Sequence, residues 1–483
     1  MVECLKGLEP RRVLELFSDI SDIPRGSGNE KAVSDYVRAF CENIGIEVEQ
    51  DEAFNIIARK PATPGYENAP ICVLQAHLDM VCEKNADVHH DFLKDPIRIL
   101  LDGDRIHADG TTLGADDGTG VAFAMAVLES KDLPHPAIEV VLTANEEAGM
   151  TGIRALDFSK LRGRVIINLD CSDVGIVVGC AGTAAVQLTQ PMDLASLADE
   201  AVLCLSIRGL LGGHSGLDIA KERANANVLV QRVLSAMQEV APVRLVSLTG
   251  GLQGNAITRE ADALFAVPTD RMEAVKLVFQ QMEKKLKNEY RVTDKGLSMT
   301  LGEAHADAAF TAESTDRLLA LMTLLPSGVM CMNIEVPGLP ELSGNLGIVT
   351  TDREGVHITA LYRSCYDSRK RQAIDKCRRA AGLTGARMHI ASDSPEWEYK
   401  ADSRLSALIQ RVHLAEYGEP IVIEVSHGGN ECGTFFREFP DADIVCTGTR
   451  IIAPHTPDES VMVSIIQKEW NMLCKTLEGM LTY

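Results

Sequence analysis

Apolar residues in the first 45 positions recur at helical spacing over 11–18 and 29–45. "CLKGLEPRRVLELFSDISDIPRGSGNEKAVSDYVRAFCENIG" therefore predicts two helices joined by a "PRGSGNE" turn. The period then changes. Short, β-branched apolar runs follow at "ICVLQAH" (71–77), "IEVVLTANE" (138–146) and "VIINLD" (165–170). Such runs lack polar alternation because strands covered on both faces need none, so they predict buried parallel strands. "GTGVAFAMAVLES" (118–130) reads as a helix between two of them. Strands alternating with helices imply an α/β domain around a central mixed sheet flanked by helices.

The texture shifts after residue 185. "AVLCLSIRGLLGG" (201–213) alternates as a strand, and a long helix is expected over about 218–238. Two later stretches resemble each other, one beginning at Asn255 and one at Asn345. Each reads as Asn, strand, acidic turn, strand, basic helix. This weak repeat, set against coincidence, predicts a doubled α+β unit. Near "SPEWEYKADSRLSALIQ" (394–410) the helix–strand texture returns. The expected organisation is a discontinuous catalytic domain, 1–185 and 397–483, with an α+β lid domain inserted at 186–396.

A length of 483 residues allows two or three domains. The net charge of −22 argues against nucleic acid or an anionic membrane as partner. No run approaches about 20 uncharged apolar residues, so a membrane span is not expected. The start carries acids before any apolar run and does not read as a signal peptide. Thirteen cysteines without CxxC pairs imply free thiols and a cytoplasmic setting.

The chemistry gathers at strand ends and one loop. "TTLGADDGTGVA" (111–122) sets Asp116 and Asp117 side by side in a glycine-rich loop opening a helix. Such loops suit phosphate, but two carboxylates would repel it, so the loop is expected to hold a cation. His77 and Asp79 end one strand on the same side, where Asp79 can orient the His77 imidazole or poise a catalytic group. Glu146 and Glu147 end a second strand and point apart, so one can bind metal while the other works on substrate. Asp170 ends a third. Sites in open α/β sheets form at the carboxyl ends of strands. In "APHTPDES", Thr456 and Glu459 read as a capping box with Pro457 at the first helical position, fixing His455 before a helix. Two histidines with three carboxylates suit zinc, and an oxygen-rich set can hold two ions about 3.5–4 Å apart.

The set "AHLDMV", "LGADDGTGVA", "NEEAGMTG", "LDCSD", "GGHSG", "GNAI", "LYRS" and "APHTPDES" resembles the di-zinc superfamily of aminoacylases, carboxypeptidases and dipeptidases, in its aminoacyl-histidine dipeptidase branch. The resemblance runs in order along nearly the whole chain. It implies that His77 and Asp170 bind one zinc, Glu147 and His455 the other, and that Asp116 bridges them. It also implies Glu146 as general acid/base, Asp79 as support for His77, and a cis bond between Asp116 and Asp117. Asp117 stands where many relatives have asparagine, and could ligate weakly or cap the helix. His214 in "GGHSG", Asn255 and Arg363 match residues that polarise the scissile carbonyl or hold the oxyanion or substrate carboxylate. Alternatively, "GGHSG" is only a turn and Arg363 pairs with Asp367.

"SHGGNECG" (426–433) is read as a substrate-binding loop in which Gly433 and its companions allow close backbone approach. A further metal site or a cysteine nucleophile, through His427, Glu431 and Cys432, is the alternative there. The implied function is hydrolysis of unblocked dipeptides, Xaa-His among them, with zinc, manganese or cobalt and a homodimer consistent with the family. An N-acyl-amino-acid hydrolase on the same core is the alternative, and a metal-free binding protein the third reading.

Overall fold

The computed structural model describes residues 2–171 and 175–483, so Ser172 and Asp173 of "LDCSD" lie outside the described residues. It divides into two compact units. The first comprises 1–179, 399–425 and 430–483; the second comprises 180–398 and 426–429.

In the first unit the amphipathic opening forms helices Arg11–Ser21 and Lys31–Asn43. The three apolar runs become strands Cys72–His77, Ile138–Thr143 and Val165–Asn168, buried at every position. Cys72–His77 is central, parallel to the other two, and Asp443–Cys446 adds a further parallel neighbour to Val165–Asn168. Ile56–Lys60 pairs antiparallel with Ile138–Thr143, so the eight-stranded sheet among the described residues is mixed. Beyond its two opening aspartates, helix Ala115–Glu129 is small or apolar on every face up to Leu128 and almost wholly buried, which suits a helix enclosed on every side. The parallel strands thus bring His77, the Glu146–Glu147 pair and Asp170 to one end of the sheet.

The second unit is built on a nine-stranded antiparallel sheet. Glu200–Arg208, helix Ala226–Gln238, Arg244–Gly250, Ala261–Pro268, helix Met272–Glu289 and Ser298–Ala304 follow in a βαββαβ order. Gly182–Pro191, helix Ala312–Leu324, Pro340–Thr351, Gly355–Ser364, helix Asp367–Thr384 and Arg387–Ser394 repeat that order. Each set has the same strand sequence across the sheet, fourth–first–third–second, and the two second strands meet at Gly250 and Val349. The doubling is present, but its register differs from the expected one. "NAIT" contributes only an isolated bridge at Ala256, and Arg244–Gly250 supplies the strand that pairs with Ala261–Pro268. The long helix starts at Ala226 rather than near 218, because the Asn225 side chain accepts the backbone N–H groups of Asn227 and Val228 and caps it there.

No helix among the described residues is long and apolar enough to cross a membrane.

Candidate metal centre

The first unit draws seven of the expected residues together. His77 is 1% exposed, and its Nε2 lies 3.2 Å from Asp116 Oδ1 and 4.0 Å from Asp170 Oδ1. His455 Nε2 lies 3.5 Å from Asp116 Oδ2 and 2.9 Å from Glu147 Oε1. The two oxygens of Asp116 therefore face different histidines. Three sets of donor atoms each fall within 4.8 Å of one another: His77–Asp116–Asp170, Asp116–Glu147–His455 and His77–Glu146–Glu147. Carboxylate oxygens with two imidazole nitrogens are a donor set that fits a divalent cation. The cluster is able to bind metal.

The electrostatics agree with that fit. Burial, with the charges of Glu431, Glu147 and Asp116, pushes the Glu146 carboxyl up to about 8. Burial and then the Asp116 charge push Asp170 well above the usual carboxylate range. Burial opposes charge on His77, yet its hydrogen bonds to Asp116 and Asp79 hold its pKa well above the ordinary value. Hydrogen bonds to Asp116 and Glu147 raise His455 to about 10. So many acids in a buried space repel one another unless positive charge enters.

Asp79 is fully buried, with Oδ1 3.4 Å from His77 Nδ1. It also accepts the backbone N–H groups of Glu146 and Glu147 and the Ser27 hydroxyl. One carboxylate thus ties the histidine-bearing strand end to the glutamate-bearing one. Burial works against its charge, but the hydrogen bond from His77 leads the groups that hold it down at about 2.

The Asp116–Asp117 peptide bond is cis, as the resemblance implies. Asp117 Oδ2 accepts the His77 backbone N–H and Oδ1 accepts that of Gly120, so this carboxylate caps the helix start and anchors the neighbouring strand. Glu459 corrects the sequence reading. No helix begins at Pro457; Ser460–Met462 is a strand, and the helix starts at Val463. Glu459 instead accepts the backbone N–H groups of Leu113, Gly114, Ala115 and Asp116, at 2.8 to 3.3 Å. Arg25, 2% exposed, completes this cradle by donating to the carbonyls of Leu78, Asp79 and Gly114. Periodicity read Arg25 as a turn residue and Glu459 as a cap, and neither contact partner is near in sequence. Glu459→Ala is expected to cost about 3 kcal/mol of stability by leaving buried amides without an acceptor. A lowered thermal unfolding midpoint with restored stability in Glu459→Gln checks it.

The second unit, described by itself, brings His214, Asn255 and Arg363 together. His214 bridges Ala256, Ser215 donates its N–H to the Asn255 carbonyl, and Arg363 Nε donates to Ser215 Oγ at 3.4 Å. His214 Nδ1 accepts the N–H groups of Gly216 and Leu217, which assigns the ring proton to Nε2. Burial and then Arg363 lower the His214 pKa. Arg363 is 7% exposed and does not pair with Asp367, which takes Arg371 instead. Its bonding partners are the hydroxyls of Ser215 and Thr183, and burial lowers it to about 10. A buried guanidinium whose partners among the described residues are hydroxyls retains its capacity for a carboxylate. The Asn255 side chain is exposed.

The expected loop 426–433 ends sooner than the sequence suggests. Cys432–Glu438 is a short helix, with Gly433 buried in its first turn. Cys432 is fully buried, and His427 Nε2 lies 2.7 Å from Ser343 Oγ. Among the described residues no group of metal-ligating side chains includes His427, Glu431 or Cys432.

The profile of peptidase family M20/M25/M40 matches residues 73–479. The chain belongs to that family. It is 37% identical, over 98% of each chain, to the cytosol non-specific dipeptidase of Escherichia coli strain K12. It superposes on the crystal structure of aminoacylhistidine dipeptidase from Vibrio alginolyticus with a TM-score of 0.91 and 37% identity, covering 99% of this chain and 98% of that one. An aminopeptidase from Bacillus cereus shares the fold at a TM-score of 0.57 and 16% identity, over 98% and 99% of the two chains.

Proposed function

We propose that this protein is a cytosolic metal-dependent dipeptidase that hydrolyses unblocked dipeptides, Xaa-His among them. The observation that carries this reading is Asp116, whose two oxygens lie 3.2 and 3.5 Å from two different histidines. A carboxylate so placed suits a bridge between two divalent ions, one held by His77 and Asp170 and the other by Glu147 and His455. Zinc suits the mixed nitrogen and oxygen donors best, and manganese or cobalt could replace it. The names of the two full-length relatives support the dipeptide substrate.

Ions bound there would acidify a water and polarise the scissile carbonyl. Glu146 is the general base and then the general acid: its carboxylate takes the proton of the attacking water and passes it to the leaving amine. Asp79 keeps the His77 ring and both glutamate backbones in place. His214, a neutral Nε2–H donor, is assigned to the carbonyl oxygen as it gains charge. Asn255 is assigned a further substrate contact, and Arg363 the terminal carboxylate; Gly433, buried in a helical turn with its N–H on the Asn430 carbonyl, is not.

A panel of Xaa-His and other dipeptides against N-acetyl amino acids tests the reading. Turnover confined to the N-acetyl compounds would move the protein to the aminoacylase reading. Arg363→Met is expected to raise KM for free-carboxylate dipeptides about 10–100-fold while leaving dipeptide amides nearly unaffected. An unchanged KM refutes the carboxylate role. A homodimer goes with this proposal, and light scattering at micromolar concentration decides it.

A further inference from the structure

A line of buried polar side chains runs beneath the metal-ligating cluster, and the chemistry above does not use it. Glu431 is fully buried. Its Oε2 accepts from Gln75 Nε2 and, at 2.7 Å, from Thr143 Oγ1. Gln75 Oε1 in turn accepts from Asn168 Nδ2, and Asn168 Oδ1 accepts the backbone N–H of Asp170 at 3.2 Å. Gln75, Thr143 and Asn168 are also fully buried. They sit on three neighbouring strands: Gln75 pairs with Asn168, and His77 with Thr143. Gln75 lies two residues before His77, Thr143 three before Glu146, and Asn168 two before Asp170. One continuous chain of hydrogen bonds therefore crosses the strand ends that present these donors.

Glu431 is the only member of that line from outside the three strands, and it is a carboxylate where an amide would fill similar space. Its partners Gln75 and Thr143 are neutral, and among the described residues its Oε1 is buried without a hydrogen-bond partner. Burying a carboxylate without a cation is costly, so a purely space-filling position would not favour one. What the position supplies is one acceptor oxygen shared by donors from two strands.

We propose that Glu431 is a positioning residue that locks the three strand ends in the spacing the ions require, acting through Gln75, Thr143 and Asn168. This rests on the dipeptidase reading above. Glu431→Leu removes both acceptors, and Gln75→Leu cuts the same line from within the sheet. Each is expected to lose bound zinc on dialysis against a weak chelator that leaves the parent protein loaded. Each should also lower kcat about 10–100-fold with KM for a dipeptide little changed. Glu431→Gln keeps an acceptor oxygen and should restore most zinc retention and kcat.

Circular dichroism and the unfolding midpoint show which variants are folded. Folded Glu431→Leu and Gln75→Leu proteins that keep zinc and kcat at parental values overturn the proposal. So does a folded Glu431→Gln protein as impaired as Glu431→Leu, because the acceptor geometry would then not be what matters. If the parent protein itself holds no zinc and hydrolyses no dipeptide, the underlying function fails instead, and the two failures are told apart.

Discussion

Glu146→Ala is expected to leave metal binding intact and to lower kcat by about 10²–10⁴-fold, the range for removing a positioned general acid/base. The separation of the two effects follows from the geometry. His77, Asp116, Asp170, Glu147 and His455 supply two donor sets without Glu146. The Glu146 backbone is held by Asp79 through its N–H, a bond that alanine keeps. Truncating the side chain should therefore leave the strand end in place while removing the proton carrier. The check is metal content by elemental analysis beside kcat on a dipeptide. Parental turnover would remove Glu146 from the proton-transfer role. Loss of metal with loss of turnover would instead recast it as a ligand, a role the His77–Glu146–Glu147 grouping would allow. KM should change little, because Glu146 is assigned to the moving proton rather than to ground-state binding.

Much of the first unit was legible because its signals are local. The runs at 71–77, 138–146 and 165–170 announce buried strands by composition alone, and the strand-end rule then places His77, Glu146, Glu147 and Asp170 near one another. In the structure His77 faces Asp116 and Asp170, and His455 faces Asp116 and Glu147. What stayed hidden depends on long-range contacts. Glu459 lies over 340 positions from the loop it cradles, and its T-x-x-E spacing imitates a capping box. Glu431 reaches strands about 290 and 360 residues earlier. Arg25 sits in a turn whose polar residues predict exposure, yet three carbonyls pull it inside. A buried charge satisfied from afar leaves no periodic trace.

The doubled unit shows the same limit in another form. Its two copies show as strand–turn–strand–helix texture, but in the first copy the partner strand is Arg244–Gly250 rather than "NAIT". "NAIT" has strand composition, whereas its neighbours His214 and Gly213 claim its backbone through one bridge and the Ile257 N–H. Local propensity lost there to a tertiary contact that also brings Asn255 beside His214.

Replacing Asp116 is expected to have the opposite signature to Glu146→Ala. Two dications about 4 Å apart repel by roughly 16 kcal/mol at an effective dielectric constant of about 20, four times the value for unit charges. On the proposed reading Asp116 is the carboxylate both ions would share, so removing its charge would make joint occupancy unfavourable. Asp116→Asn keeps the shape and loses the charge; Asp116→Ala loses both. Both should bind at most one ion per chain and lower kcat at least about 100-fold, beyond the usual cost of an outer hydrogen-bonding partner. The loop should survive either change. Its amides at Leu113, Gly114 and Ala115 are held by Glu459, and its helix start by Asp117. An unfolding midpoint close to the parent's, measured without metal, would show that the fold persists. A folded Asp116→Asn protein that still binds two ions with parental affinity would mean the ions do not share this carboxylate. The pair of histidines facing its two oxygens would then need another explanation.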